Sequence, residues 1–180
     1  MAGSIVAQNY AEALFELASR SGQLERYGAL IDAVARAFAS APELQAVLVS
    51  PRVAKSLKRD LVGRAIGATG APAEFVRYLE AIVTRGRQAE LGEIAKLYGD
   101  LVDRQFNRVR ASVTMARTPD PALVQSMTET LGKVLGKSVV LNVALDPDVL
   151  GGAVVKVGDR VYDGSVRRKL TRLRRELLGQ

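Results

Sequence analysis

Apolar side chains recur at three- and four-residue spacing through the first hundred positions, the period of a helix with one buried face. Ser4 is placed to cap a first helix whose stripe is Val6, Tyr10, Ala13, Leu14, Leu17 and Ala18, ending near Gly22. A second segment carries Leu24, Tyr27, Ile31, Val34 and Phe38 as far as Pro42, and a short third holds Leu44, Val47 and Leu48. Ser50-Pro51 predicts an N-cap with proline at the first position of a fourth helix, which carries Leu57, Leu61 and Ile66 and closes at Gly67 and Gly70. Pro72 opens a fifth, with Phe75, Val76, Leu79, Ile82 and Val83 before Gly86. The sixth runs through Leu91, Ile94, Leu97, Tyr98, Leu101 and Val102. Six helices with short connections predict antiparallel neighbours packed as a bundle.

The period shortens to two near Asn107. In RVRASVTMA, Val109, Ala111, Val113 and Met115 alternate with Arg108, Arg110, Ser112 and Thr114, which predicts a strand with one wet face. Thr118-Pro119-Asp120-Pro121 breaks the strand and starts a helix with Leu123, Val124, Met127, Leu131 and Leu135, ended by Gly136. SVVLNVAL predicts a second strand, stopped at Asp146-Pro147. Gly151-Gly152 precedes a third, AVVKV, and Gly158-Asp159 turns it into a short fourth, RVY. Asp163-Gly164-Ser165 ends that strand and caps a last helix with Val166, Leu170, Leu173 and Leu177 inward. The expected fold class is α+β: a six-helix bundle over residues 1–106, then a β-α-β-β-β-α domain over 107–180.

Composition narrows the chemistry. The 180 residues are 48% hydrophobic and 25% charged, an ordinary globular balance. There is no Cys, His or Trp. That excludes disulfides, thiol nucleophiles, imidazole metal ligands and the usual neutral-pH general base. The formal charge of +7 is uneven. Residues 1–105 carry 13 basic and 12 acidic side chains, and residues 106–180 carry 13 and 7. Most of the excess lies in Arg167, Arg168, Lys169, Arg172, Arg174 and Arg175. Such a helix suits an acidic protein partner, anionic lipid or nucleic acid, and a merely solvated face is the plainer alternative. No run approaches the ~20 apolar residues of a membrane span. The opening residues show no basic-then-apolar leader, since Gln8, Asn9 and Glu12 interrupt them, so the chain is expected in the cytosol.

Two patterns invite a catalytic reading. GKVLGKS resembles a phosphate-binding loop, but Gly132 is one residue out of register and a helix leads into a strand where the motif needs the reverse. Asp146, Asp148, Asp159 and Asp163 could do acid–base work or hold a cation, yet each sits beside Pro or Gly at a strand end, where Asp serves turns. The nine aromatics fall mostly on apolar stripes rather than among basic residues as in a nucleic-acid platform, Tyr162 beside Arg160 excepted. No cofactor, metal or active site is expected. The small residues Ala7, Ala11, Ala13 and Ala18 of the first helix would let another helix approach closely, and a groove between helices would suit an amphipathic partner. Periodicity alone favours those stripes being satisfied inside the bundle.

YAEALFELA at residues 10–18, EFVRYLEAIVTRGRQAEL at 74–91, and GKSVVLNVALDPDVLGGAVVKVGDRVYDGSVRRKL at 136–170 together resemble the delta-subunit family of F-type ATP synthase. That family is similar to the mitochondrial oligomycin-sensitivity-conferring protein. The resemblance runs through essentially the whole chain. Its most specific part is Asp146-Pro147, Gly151-Gly152, Gly158-Asp159 and Asp163-Gly164-Ser165-Val166, in which Gly151, Gly152, Gly158, Asp159, Asp163, Gly164 and Ser165 form the family's structural motif. It implies a non-catalytic stator subunit that joins the catalytic head of alpha and beta subunits to the peripheral stalk, at the cytoplasmic face of a bacterial inner membrane and without a span of its own. The alpha subunit's N-terminal helix would lie between the first and fifth helices, with Tyr10, Leu14, Leu17, Val76, Leu79 and Val83 as candidates. The stalk b subunit would meet the second half, with Arg167, Arg168, Arg172 and Arg175 as candidates. A basic nucleic-acid-binding protein acting through its last helix is the alternative, and a small enzyme using the Asp cluster is a third.

Overall fold

A computed structural model describes residues 4–149 and 151–171, and the chain divides into two compact units, Met1–Val102 and Asp103–Gln180. Leu173 and Leu177 of the predicted last helix lie outside the described residues, as do Arg172, Arg174 and Arg175.

Helices α1 (Ile5–Arg20), α2 (Leu24–Ser40), α3 (Pro42–Val49), α4 (Lys55–Gly67), α5 (Ala73–Thr84) and α6 (Leu91–Gln105) precede the first strand, with a 3-10 turn at Gln88–Glu90. Ser4 caps α1 by accepting a hydrogen bond from the Ala7 amide. The buried stripe of α1 is Ala7, Ala11, Leu14 and Ala18, all fully buried. The alanines therefore let helices of this same chain approach closely. Tyr27 and Ile31 of α2, Phe75, Leu79 and Ile82 of α5, and Ile94 and Tyr98 of α6 complete the core. Each such side chain contributes roughly 1.5–3 kcal/mol by leaving water. Aromatic edges set the geometry inside: Tyr27 meets Phe75 edge-on at 5.6 Å between centroids. The Tyr98 ring passes so close to Gly28 that a Cβ there would lie 3.3 Å from it, and its hydroxyl donates to the Leu24 carbonyl at 2.7 Å.

The fourth helix corrects the sequence reading. Ser50 is not its N-cap but the C-cap of α3, its amide donating to the Ala46 carbonyl. Pro51 falls in a turn held by the Ser50 hydroxyl, which accepts from the Arg52 amide, and α4 starts four residues after Pro51. Serine followed by proline suits either end of a connection, and here Lys58 decides it. This largely buried side chain donates to the Ser50 carbonyl at 2.7 Å, a cation on the carbonyl end of α3. Pro72 stands at the N-cap position of α5, immediately before its first residue.

The second unit holds β1 (Arg108–Met115), α7 (Pro121–Leu135), β2 (Ser138–Leu145), a 3-10 turn (Pro147–Val149), β3 (Ala153–Val157) and β4 (Arg160–Asp163). The helical conformation resumes at residues 166–171. The sheet order is β2-β1-β3-β4. β1 pairs parallel with β2, Val113 opposite Val143, and antiparallel with β3, Val113 opposite Val155. The β1–α7–β2 connection is the crossover that parallel pairing requires. Asp120 caps α7 by accepting from the Ala122 amide, Pro121 takes the first helical position, and Gly136 ends the helix at φ 63°. Ala111, Val113 and Val139 form the buried side of the sheet. The protein is thus α+β, helices plus a small mixed four-stranded sheet.

Candidate partner-binding surfaces

In the helical unit, α1 and α5 lie against each other. Tyr10 and Tyr78 meet edge-on at 6.3 Å, and the Tyr78 hydroxyl donates to the Tyr10 carbonyl at 2.9 Å. Burial holds the Tyr78 phenol well above its usual pKa, with Tyr10 adding to the shift; burial does the same for Tyr98, with Tyr27 adding. The six side chains proposed from sequence for this face divide. Leu14 is 0% exposed and Leu79 1%, so both are covered by their own chain, and Val83 is also buried. Tyr10, Leu17 and Val76 are half-buried, so part of each remains accessible.

Helical periodicity alone does not reveal a second apolar feature. A cavity of about 350 Å³ opens among α2, α3, α4 and α5, its walls including Val34, Phe38, Leu48, Leu61, Ile66 and Val83. Leu79 also lines this cavity. Beside it, Gln88 is buried, donates from Nε2 to the Leu48 carbonyl at 2.8 Å, and has an Oε1 without a hydrogen-bond partner.

In the second unit, paired residues share a side of the sheet, so Val143, Leu145 and Tyr162 lie on the same side as buried Ala111 and Val113. They are nevertheless exposed, and so are Val166 and Leu170 just beyond β4. Arg167 and Arg168 are exposed on the 166–171 segment, while Arg172 and Arg175 fall outside the described residues.

The glycine-rich motif is structural, and its geometry explains its spacing. Gly152 has φ 78°, and a Cβ there would lie 2.5 Å from the Gly164 carbonyl oxygen. Gly151 has φ 146°, with Val166 packed close to it. Two hydrogen bonds seal this contact, Gly164 N–H to the Ala153 carbonyl and Val166 N–H to the Gly151 carbonyl, both 3.0 Å. Gly158 at φ 56° and Asp159 form the two-residue β3–β4 turn. Ser165 is buried and accepts from the Arg168 amide, the N-cap role. The Asp163 carboxylate accepts from the Ser165 amide at 2.9 Å; with the Ser165 side chain as the largest contributor, these bonds hold its pKa below the usual carboxylate value. Sequence reasoning missed a further carboxylate. Asp103, largely buried, accepts from Arg108 at 2.6 Å and Arg110 at 2.7 Å. The signal available was the pair of arginines on the wet side of β1, two residues apart.

Among the described residues no group of His, Cys, Asp or Glu could hold a metal ion. Asp146 and Asp163 instead accept from amides two residues ahead, as turn residues do. No described helix is long and apolar enough to cross a membrane.

Comparison with known proteins agrees with the architecture. The chain is 42% identical over 177 residues to the ATP synthase subunit delta of Gemmatimonas aurantiaca, covering 98% of this chain and 95% of that one. It is 35% identical over 172 residues to the ATP synthase subunit delta of Anaeromyxobacter dehalogenans, covering 96% of each. A chain of the Toxoplasma gondii mitochondrial ATP synthase hexamer has the same fold, with a TM-score of 0.70 at 22% identity over 97% of this chain and 98% of that one. Residues 6–177, which run through both units, match the family described as ATP synthase delta (OSCP) subunit. The chain therefore belongs to the ATP synthase delta (OSCP) subunit family, a component of the F-type ATP synthase.

Proposed function

We propose that this chain is a non-catalytic stator subunit, gripping the catalytic head with its helical unit and the peripheral stalk with its second unit. The observation that carries this reading is the continuity of the family match through both units, residues 6–177. A head that is not tethered turns with its rotor, and no torque remains for ATP synthesis. A tether needs slow dissociation, which is where affinity differences mostly reside. On the helical unit, the N-terminal helix of a head alpha subunit would lie along α1 and α5, touching Tyr10, Leu17 and Val76, with buried Leu14, Leu79 and Val83 supporting that surface from behind. On the second unit, the stalk b subunit would cover Val143, Leu145 and Tyr162, with Arg167 and Arg168 facing acidic side chains. Arg172 and Arg175 extend the same basic sequence. The chain would sit at the cytoplasmic face of a bacterial inner membrane, held there by its partners.

Titration calorimetry with a peptide of the alpha-subunit N-terminus tests the first contact. Leu17→Asp and Val76→Asp should each weaken binding at least ~10-fold, because a carboxylate would have to be buried against the peptide's apolar face. Affinity unchanged in both variants rejects the α1–α5 assignment. Co-purification with alpha, beta and b subunits from membranes tests the whole reading, and recovery of the chain alone rejects it.

A further inference from the structure

We propose that the end of the helical unit where α3, α4 and α5 meet docks an acidic segment of a neighbouring protein chain in the assembled synthase, its carboxylates taken by Arg52, Lys55, Arg85 and Arg87. Two contacts place these residues together. A Cβ at Gly63 of α4 would collide with the Glu80 carboxylate of α5, and a short turn joins the two helices, so they run antiparallel with the start of α4 beside the end of α5. The Gln88 amide reaches the Leu48 carbonyl at 2.8 Å, which brings the turn after α5 to the end of α3. Residues 50–60 and 84–90 thus share one end of the unit. They hold six of the thirteen basic side chains of residues 1–105 and two of the twelve acidic ones. The remainder of that stretch has seven basic against ten acidic, so the positive surplus is local to this end.

Two of the six cations are engaged: Lys58 sits on the Ser50 carbonyl, and Arg59 pairs with Asp60 at 3.1 Å. Arg52, Lys55, Arg85 and Arg87 are exposed, and among the described residues their side chains have neither a salt bridge nor a hydrogen bond. The backbone that carries them is nevertheless fixed. The Ser50 hydroxyl accepts from the Arg52 amide, and Gly86 turns at φ 70° so that the Arg87 amide donates to the Ile82 carbonyl at 2.9 Å. Buried Gln88 then anchors the residue after Arg87. Fixed turns with free guanidinium groups lower the cost of ordering a docked carboxylate, and each guanidinium offers it two parallel hydrogen bonds. Val49 and Leu57, 59% and 56% exposed near this end, add apolar contact for the same segment. Neither stretch holds an aromatic side chain, so the stacking platform of a single-stranded nucleic acid is missing. None of these residues belongs to the α1–α5 surface assigned to the alpha subunit, so either assignment can fail alone.

The test uses the full chain rebound to membranes whose synthase lacks it. A water-soluble carbodiimide joins a lysine amine to a carboxylate in direct contact with it. It should couple Lys55 to an Asp or Glu of another subunit, located by peptide mass spectrometry. Lys55→Arg should keep rebinding and lose that product. Arg85→Glu with Arg87→Glu should weaken rebinding at least ~10-fold and flatten its dependence on salt. Arg36→Glu with Lys96→Glu, an equal change of charge elsewhere on the unit, should alter rebinding less than ~2-fold. Affinity for the alpha-subunit peptide should be the same in all of these variants. Lys55 coupled only within its own chain, or equal weakening by the two charge reversals, overturns the proposal. So does a patch variant that loses binding to phosphatidylglycerol vesicles or to DNA while rebinding the synthase normally. Failure of the unsubstituted chain to rebind at all rejects the stator reading together with this one, whereas normal rebinding without the Lys55 product rejects this one alone.

Discussion

The phenol of Tyr78 donates to the main-chain carbonyl of Tyr10, joining α5 to α1 across 68 positions of sequence. Removing that hydroxyl alone tests what the contact contributes. Tyr78→Phe keeps the ring and its edge-on packing, so the loss should be that of one hydrogen bond, about 0.5–1.5 kcal/mol, read from urea unfolding. Alpha-peptide affinity should fall less than in Leu17→Asp, since the outer surface of the helix pair is retained.

The same phenol predicts an alkaline limit. Tyr78 and Tyr98 both titrate above their ordinary value because burial disfavours the phenolate. In the unfolded chain they ionise near pH ~10. A raised folded pKa means the contribution is whole below that pH and is lost as pH climbs toward the folded value. The urea midpoint should therefore hold up to about pH 9.5 and fall above it, and the Tyr78→Phe, Tyr98→Phe double variant should show a shallower fall.

Two glycines with left-handed backbone should behave differently. Gly136→Ala meets open space at φ 63°, so it should cost about 1–2 kcal/mol. Gly152→Ala adds a collision with the Gly164 carbonyl, which is backbone and cannot swing aside, and should cost about 2–4 kcal/mol. Amide spectra should show the Gly152→Ala losses confined to residues 108–171. Equal costs for the two variants would mean that the close approach to Gly164 is unimportant.

Ser165 and Asp163 predict an acid limit local to the start of the final helix. Ser165→Ala should destabilise that helix start by about 1 kcal/mol, the usual cost of a lost N-cap. Asp163 has a depressed pKa, so its contribution is present above the unfolded value near ~3.9 and disappears as pH falls through the folded one. Protection factors of the Arg168 and Lys169 amides, taken against the intrinsic exchange rate at each pH, should fall below pH ~4, and Asp163→Asn should remove that fall.

Asp103 gathers two guanidinium groups, and Arg110 is half exposed while Arg108 is largely covered. Asp103→Ala should cost about 1–2 kcal/mol, reduced from a fully buried pair by the exposure of Arg110. Arg108→Ala should cost more than Arg110→Ala, and chemical denaturation of the three variants checks the order.

Much of this architecture was legible in the sequence, because period and punctuation are local. Val109, Ala111, Val113 and Met115 announce a strand, and Asp120-Pro121 with Gly136 brackets α7 at both ends. Gly158-Asp159 marks the hairpin turn for the same reason. Ser50-Pro51 misled because cap chemistry is shared by the end of one helix and the start of the next, and the deciding contact comes from Lys58, eight residues on. The parallel pairing of β1 with β2 and the Gln88 bond to Leu48 depend on residues 30 and 40 positions apart, a separation at which residue type carries no local signal. The partner surface was only half legible. A helical stripe says which side chains point toward apolar surroundings, but Leu14 and Leu79 differ from Leu17 and Val76 only in whether the chain itself supplies those surroundings.

The order of the two units along the chain bears on biosynthesis. Every core residue of the helical unit lies at or before Val102, while the central strand β1 needs β2 about 30 residues later and β3 later still. At roughly 5–20 residues per second, the ribosome delivers the 78 residues from Asp103 to Gln180 over about 4–16 s, far longer than a helical unit rich in local contacts takes to collapse. The nascent chain thus exposes one unfinished half at a time, and its unpaired strands emerge behind a neighbour that has already buried its own sticky surface.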